Sequence, residues 1–145
     1  MQIIFTKSNK IGSKLIRWGL DEPVSHVAIR YDDYVVHSRG GGVEVQKLSE
    51  FLKHSEVVYS TKVAKNVPRL FRLLLNTNKS RYDFGALLYL TVRTLCGKIG
   101  ISLPKKNLWQ TSGMFLCTEW VTSYLEGKED SMITPYNLYK KLENK

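Results

Sequence analysis

The stretch HVAIRYDDYVVHS, residues 26–38, constrains the fold more than any other part of the chain. His26–Tyr31 alternates and is rich in branched side chains, which is the pattern of a half-buried β-strand, and Tyr34–Ser38 reads as its return strand. Asp32-Asp33 stands between them as a two-residue turn, so the register follows by counting outward. Tyr31 opposes Tyr34, Ile29 opposes Val36 and Ala28 opposes His37. Side chains alternate faces along a strand, so His26, Ala28, Val35 and His37 share one face and Val27, Ile29, Tyr34 and Val36 the other. His26 and His37 become diagonal neighbours, about 7–8 Å apart at Cα and within reach of each other's rings. A turn longer or shorter by one residue would destroy that geometry.

The rest of the chain sorts into strands in front and helices behind. MQIIFTK reads as a first strand, Ile11–Leu20 as a short helix broken by Pro23, Val43–Gln46 as a third hairpin strand after the glycine turn, and Glu56–Val63 as another strand. Residues 47–54 carry a helical turn or two. Pro68 opens a helix. Tyr82–Lys98 predicts a longer apolar helix, 101–113 a loop, and Met114–Gly127 a helix closed by Gly127. Thr134 caps a last helix with Pro135 at its first position. This is an α+β pattern with an antiparallel sheet packed against helices, in a single domain over 1–145. No stretch is long and apolar enough to span a bilayer: Phe84–Cys96 is too short and carries Arg93. No signal peptide is recognisable, which leads to the expectation of a cytoplasmic protein with reduced thiols.

Cys117, Trp120, Val121, Tyr124 and Leu125 follow the spacing of a buried helical stripe, so Cys117 points inward in or near the first turn. A thiol there gains from the helix dipole and free amides, and a neighbouring imidazole would lower its pKa further. Cys117 as nucleophile, His26 as base and His37 as orienting group then form a triad. The plainer alternatives stand beside it: a core cysteine, and strand histidines that serve as structural hydrogen-bonders. Cys96 has no histidine near it in sequence and reads as an inert thiol, and His54 as a solvated surface residue.

The order of these motifs resembles the circularly permuted branch of the NlpC/P60 superfamily of papain-like enzymes. There the histidine strand comes first, a polar residue follows on the next strand, and the cysteine helix comes last. SHVAI, YVVHS and FLCTEWV match in that order, RYDFGALL is similar to the Tyr-Asp-aromatic segment before the cysteine, and TPYNLYKKL is similar to the Thr-Pro helix. The resemblance implies a permuted papain-like fold and a cysteine hydrolase acting through Cys117, His26 and His37 without a cofactor or metal. By the same analogy Tyr82 binds substrate or polarises a carbonyl, beside the plainer reading of an aromatic packed at a helix start. The implied substrate is an amide or ester, a cell-wall peptide above all. The net charge of +9 suits an anionic wall polymer or lipid as partner, while the scattered basic residues do not suggest specific nucleic-acid recognition. Three rivals follow: an acyltransferase or lipid hydrolase on the same dyad, a zinc site built from His, His and Cys, and a binding module that has kept only the fold.

Overall fold

The computed structural model describes residues 1–77, 80–112 and 114–144. Its centre is a five-stranded antiparallel sheet in the order β4-β3-β2-β1-β5. The strands are β1 (Gln2–Lys7), β2 (His26–Tyr31), β3 (Tyr34–Arg39), β4 (Gly42–Lys47) and β5 (Glu56–Lys62). Helices α1 (Ile11–Leu20), α2 (Leu48–Leu52), α3 (Val67–Thr77), α4 (Phe84–Lys98), α5 (Cys117–Glu126) and α6 (Pro135–Glu143) pack around it. A two-stranded parallel bridge joins β6 (Arg81–Tyr82) to β7 (Met114–Phe115).

The Asp32-Asp33 turn sets the register read from sequence. Tyr31 pairs with Tyr34, Arg30 with Val35 and Ile29 with Val36. Asp32 takes a left-handed backbone (φ 49°), which a short polar side chain tolerates better than a branched one. Alternation then separates two cores. Ile3, Phe5, Val27, Ile29 and Val36 meet Cys117, Trp120, Val121 and Tyr124 of α5 on one face. Ile4, Ala28 and Val35 meet Phe51 of α2 on the other. Trp120 is fully buried, and its indole N–H donates to Thr77 Oγ1 at 3.0 Å, so its large apolar area goes inside without an unpaired donor.

Two expected helices start later than the sequence suggested. The helix expected from Tyr82 begins at Phe84, because Asp83 caps it: Oδ1 accepts from Ala86 N at 2.8 Å. The helix expected from Met114 begins at Cys117. Here Glu119 Oε2 accepts from Leu116 N at 2.6 Å and fixes the first turn. Tyr82 and Phe115, freed from helix, pair with each other in the small parallel bridge. Of the expected 101–113 loop, 101–112 is open chain and Gly113 lies outside the described residues.

Two glycines permit close approaches that position the site. At Gly42 the backbone has φ +112°, and a Cβ would collide with the Ser80 carbonyl, so only glycine lets the end of β4 meet the segment leading to Tyr82. At Gly19 a Cβ would lie 2.5 Å from Thr91 Cγ2, which sets how closely α1 lies against α4. No described helix is long and apolar enough to cross a membrane.

Candidate functional site

His26 is the first residue of β2 and His37 the fourth of β3. Their side chains meet as alternation requires: His26 Nε2 lies 3.0 Å from His37 Nδ1, with ring centroids 5.2 Å apart and planes at 78°. Phe51 of α2 packs edge-on to His37 at 5.1 Å and closes the apolar side of the pair. Burial drives both imidazoles towards the neutral form. His26 falls to about 3, through desolvation first and then repulsion from His37 and Arg39. For His37 desolvation again dominates and lowers the pKa, partly opposed by attraction to Glu44.

The surroundings of His37 assign the protons. Its Nε2 lies 3.2 Å from Glu44 Oε1, whose other close cation is Arg39 Nε at 3.0 Å. The Nε2 contact is off hydrogen-bond alignment and acts as electrostatic attraction. The Gln46 side chain also favours the protonated ring. The Glu44 carboxylate can only accept, which favours the tautomer with the His37 proton on Nε2 and the lone pair on Nδ1. Nδ1 can then only accept, and His26 Nε2 must donate. His26 Nδ1 is left as a free base. Glu44 was not identified from sequence, yet a signal existed: from a Gly40-Gly41 turn, Arg39 pairs with Gly42 and His37 with Glu44, as the register shows.

Cys117 is the first residue of α5 and is 4% exposed. The backbone N–H groups of Val27, Thr118 and Cys117 itself and the Tyr82 hydroxyl stand near its Sγ as donors. Those donors favour thiolate, but desolvation outweighs them and pushes the thiol up to about 11. The expectation of a lowered pKa is therefore corrected. The helix-start donors are present, but the same packing that aims them at sulfur removes water from it. Nor is His26 among the hydrogen-bond partners of Sγ among the described residues. The thiol packs with the Val27 face of the sheet and the imidazole belongs to the Ala28 face; what links them is the Val27 amide, one residue after His26, which lies near the sulfur.

Tyr82 stands between them. The histidines form part of a cleft of about 430 Å³ whose lining also includes Phe51, Tyr82, Phe84 and Leu87. Cys117 lines a small hollow of about 10 Å³ instead, and Ile16, Ser25, Tyr82 and Leu87 line both spaces. Tyr82 is 8% exposed, and burial together with the neighbouring thiol raises its phenol well above the usual range, so it remains a hydroxyl donor. Lys7, Lys10, Arg39 and His54 also line the cleft, and among the described residues no carboxylate does. His54, read from sequence as a solvated surface residue, is exposed and sits at this mouth. Cys96 is partly buried and away from both spaces. Sequence reasoning also missed Glu119, whose buried carboxyl rises to about 7 by desolvation while it holds the start of the cysteine helix and accepts from Gln110 at 2.8 Å. Among the described residues no three His, Cys, Asp or Glu side chains gather as a metal site.

Compared with the known protein families and with curated proteins, the chain matches none.

Proposed function

We propose that the protein is a cysteine hydrolase of permuted papain-like architecture that cleaves an amide or ester, a cell-wall peptide amide above all, through an acyl-enzyme on Cys117. The observation that carries this reading is the His26–His37 pair at 3.0 Å in a cleft, with a helix-start thiol near the next backbone amide, that of Val27. His26 Nδ1 takes the thiol proton as Sγ attacks the carbonyl carbon, then returns it to the leaving nitrogen or oxygen. Water adds to the thioester with the same base, releasing the acid and restoring the thiol. His37 holds His26 in the tautomer that leaves Nδ1 free. The Cys117 amide and the Tyr82 hydroxyl, both donors near the sulfur, stabilise the developing oxyanion.

The resting arrangement is closed. A neutral thiol and a neutral imidazole favour general-base attack over a stored thiolate–imidazolium pair, and Tyr82 must yield for Sγ to reach the cleft. An acyltransferase on the same thiol is the second reading. It is favoured by the apolar lining of Ile16, Phe51, Phe84 and Leu87, which suits an acyl chain. The test is release of product from peptidoglycan fragments and from acyl esters, with and without an added amine, followed by mass spectrometry of the intact protein. Acyl adducts on Cys117 that disappear in Cys117→Ala and accumulate without an acceptor are expected. Turnover that survives Cys117→Ala would overturn the nucleophile assignment and leave a binding module or another site.

A further inference from the structure

Helix α1 turns its apolar face the wrong way for a globular surface. Ile16, Gly19 and Leu20 face α4 and the core, yet Ile11 (77% exposed), Leu15 and Trp18 (69% exposed) follow the 0, 4, 7 spacing on the opposite, outer face. Its flank carries Lys10, Lys14 and Arg17, and its first turn holds no acidic residue. Helix α4 lies alongside in the same direction. Gly12 and Phe84, near the two N-terminal ends, both line the cleft, while Asp21 just past α1 pairs with Lys98 at the end of α4 at 3.2 Å. On α4, Leu87 and Thr91 face α1, and Phe84 (63% exposed) and Leu88 come next around the helix toward solvent. Two neighbouring helices therefore present apolar side chains outward, with a cationic border, in a chain of net charge +9.

We propose that this α1/α4 face docks on an anionic phospholipid bilayer, lying in the interface plane with Ile11, Leu15, Trp18, Phe84 and Leu88 among the acyl-chain ends and Lys10, Lys14 and Arg17 at the phosphate level. An interfacial helix needs this combination: an apolar face for the hydrocarbon boundary and cations for the negative surface. The charge selects the occupant, since a second copy of this face would set like charges against each other. Docking also has a consequence for the site. Phe84, Ile16 and Lys10 belong to the cleft lining, so the cleft opens at the edge of the docked surface. The docking face stands without the hydrolase reading, and the experiment keeps the two apart.

The experiment is sedimentation of the full chain with phosphatidylcholine vesicles, with or without phosphatidylglycerol. Wild type pellets with the anionic vesicles and far less with the neutral ones. Lys14→Ala weakens binding about five-fold, the share of one cation near the surface. The pair Leu15→Asp and Trp18→Asp weakens it by more than about ten-fold, since two exposed apolar anchors are lost. Because these side chains are exposed, far-ultraviolet circular dichroism and the thermal midpoint of that variant should match wild type. As a second readout that needs no anchor substitution, Trp109→Phe leaves Trp18 and the fully buried Trp120 as the indoles. Vesicle-dependent quenching by brominated lipid then reports Trp18. Cys117→Ala binds like wild type, so loss of chemistry and loss of docking are separate results. Equal binding to both vesicle types, undiminished binding of the Leu15/Trp18 variant, no binding at all, or a dimer that shields Trp18 without lipid would each overturn the proposal.

Discussion

Alkylation of Cys117 should be slow, although it is the proposed nucleophile. The folded protein is treated with iodoacetamide at pH 7.5 and each thiol is followed by peptide mass spectrometry. Burial raises the Cys117 thiol from 9.0 to about 11. That difference of about 2 units corresponds to about 3 kcal/mol and roughly a hundred-fold less thiolate than an ordinary cysteine at the same pH. At 4% exposure, access adds to the deficit, whereas Cys96 is only partly buried. Cys96 should therefore react first. The gap should close only as the pH approaches 11 or when the protein is unfolded. Tyr82→Ala, which removes the partition, should raise the Cys117 rate and leave Cys96 unchanged. If Cys117 reacts as fast as Cys96 at pH 7.5 in the wild type, a thiolate is already formed at rest. Desolvation would then not be the dominant influence on this thiol, and the closed resting state would be wrong.

Other outcomes follow from the same geometry. His26→Ala should abolish turnover, a loss of about 10²–10⁴-fold for a proton-transfer group, while His37→Ala should retain measurable activity; steady-state kinetics with the reverse ranking would exchange their roles. Gly42→Ala should destabilise the fold by roughly 1–3 kcal/mol in denaturant titration, since it combines a left-handed φ with a collision against Ser80; an unchanged midpoint would show that the β4–β6 approach is not rigid. Acid should unfold the protein early. Both imidazoles have lowered folded pKa values, so the unfolded chain binds more protons below about 6.5, and stability falls as the pH drops from there towards 3. His26→Gln should flatten that part of the pH–stability curve, and a wild-type curve that is level from pH 7 to 4 would contradict the burial of the pair.

The hairpin was legible because its information is local. A two-residue turn leaves one register, alternation assigns each side chain to a face, and His26 and His37 must then meet. The start of α5 was not legible for the opposite reason. Met114–Leu116 is as apolar as the helix that follows, and what stops the helix there is the pairing of Met114–Phe115 with Arg81–Tyr82, far away in sequence, together with Glu119 reaching back to the Leu116 amide. The thiol's pKa was misjudged for a related reason. The amides that favour thiolate can be counted from a helix start, but desolvation depends on Tyr82, Val27 and the strands that pack over the sulfur. The outward apolar face of α1 was visible as periodicity, yet periodicity alone reads as a buried stripe, and only the position of α4 shows which side is inside.

The neutrality of His37 matters to the proposed chemistry. Two imidazoles joined by one hydrogen bond at 3.0 Å cannot both carry charge without strong repulsion in a buried site. For His26 to accept the thiol proton during attack, His37 must be uncharged at that moment. Glu44 alone would work against this, since a carboxylate 3.2 Å from Nε2 stabilises the imidazolium. Arg39 provides the balance. It holds the same Glu44 oxygen at 3.0 Å and adds its own positive charge beside both rings, lowering each pKa. Glu44 then fixes the Nε2 tautomer of His37 without charging it, and the orientation passes through the Nδ1 contact to leave His26 Nδ1 as the open base. Arg39→Ala should therefore raise the pKa of His37 and shift the acid limb of the activity profile to higher pH, as a charged His37 begins to block protonation of its neighbour. Proton titration of the two rings by NMR alongside the pH–rate curve tests this, and an acid limb that stays in place in Arg39→Ala would show that Glu44 orients His37 without needing the guanidinium to offset its charge.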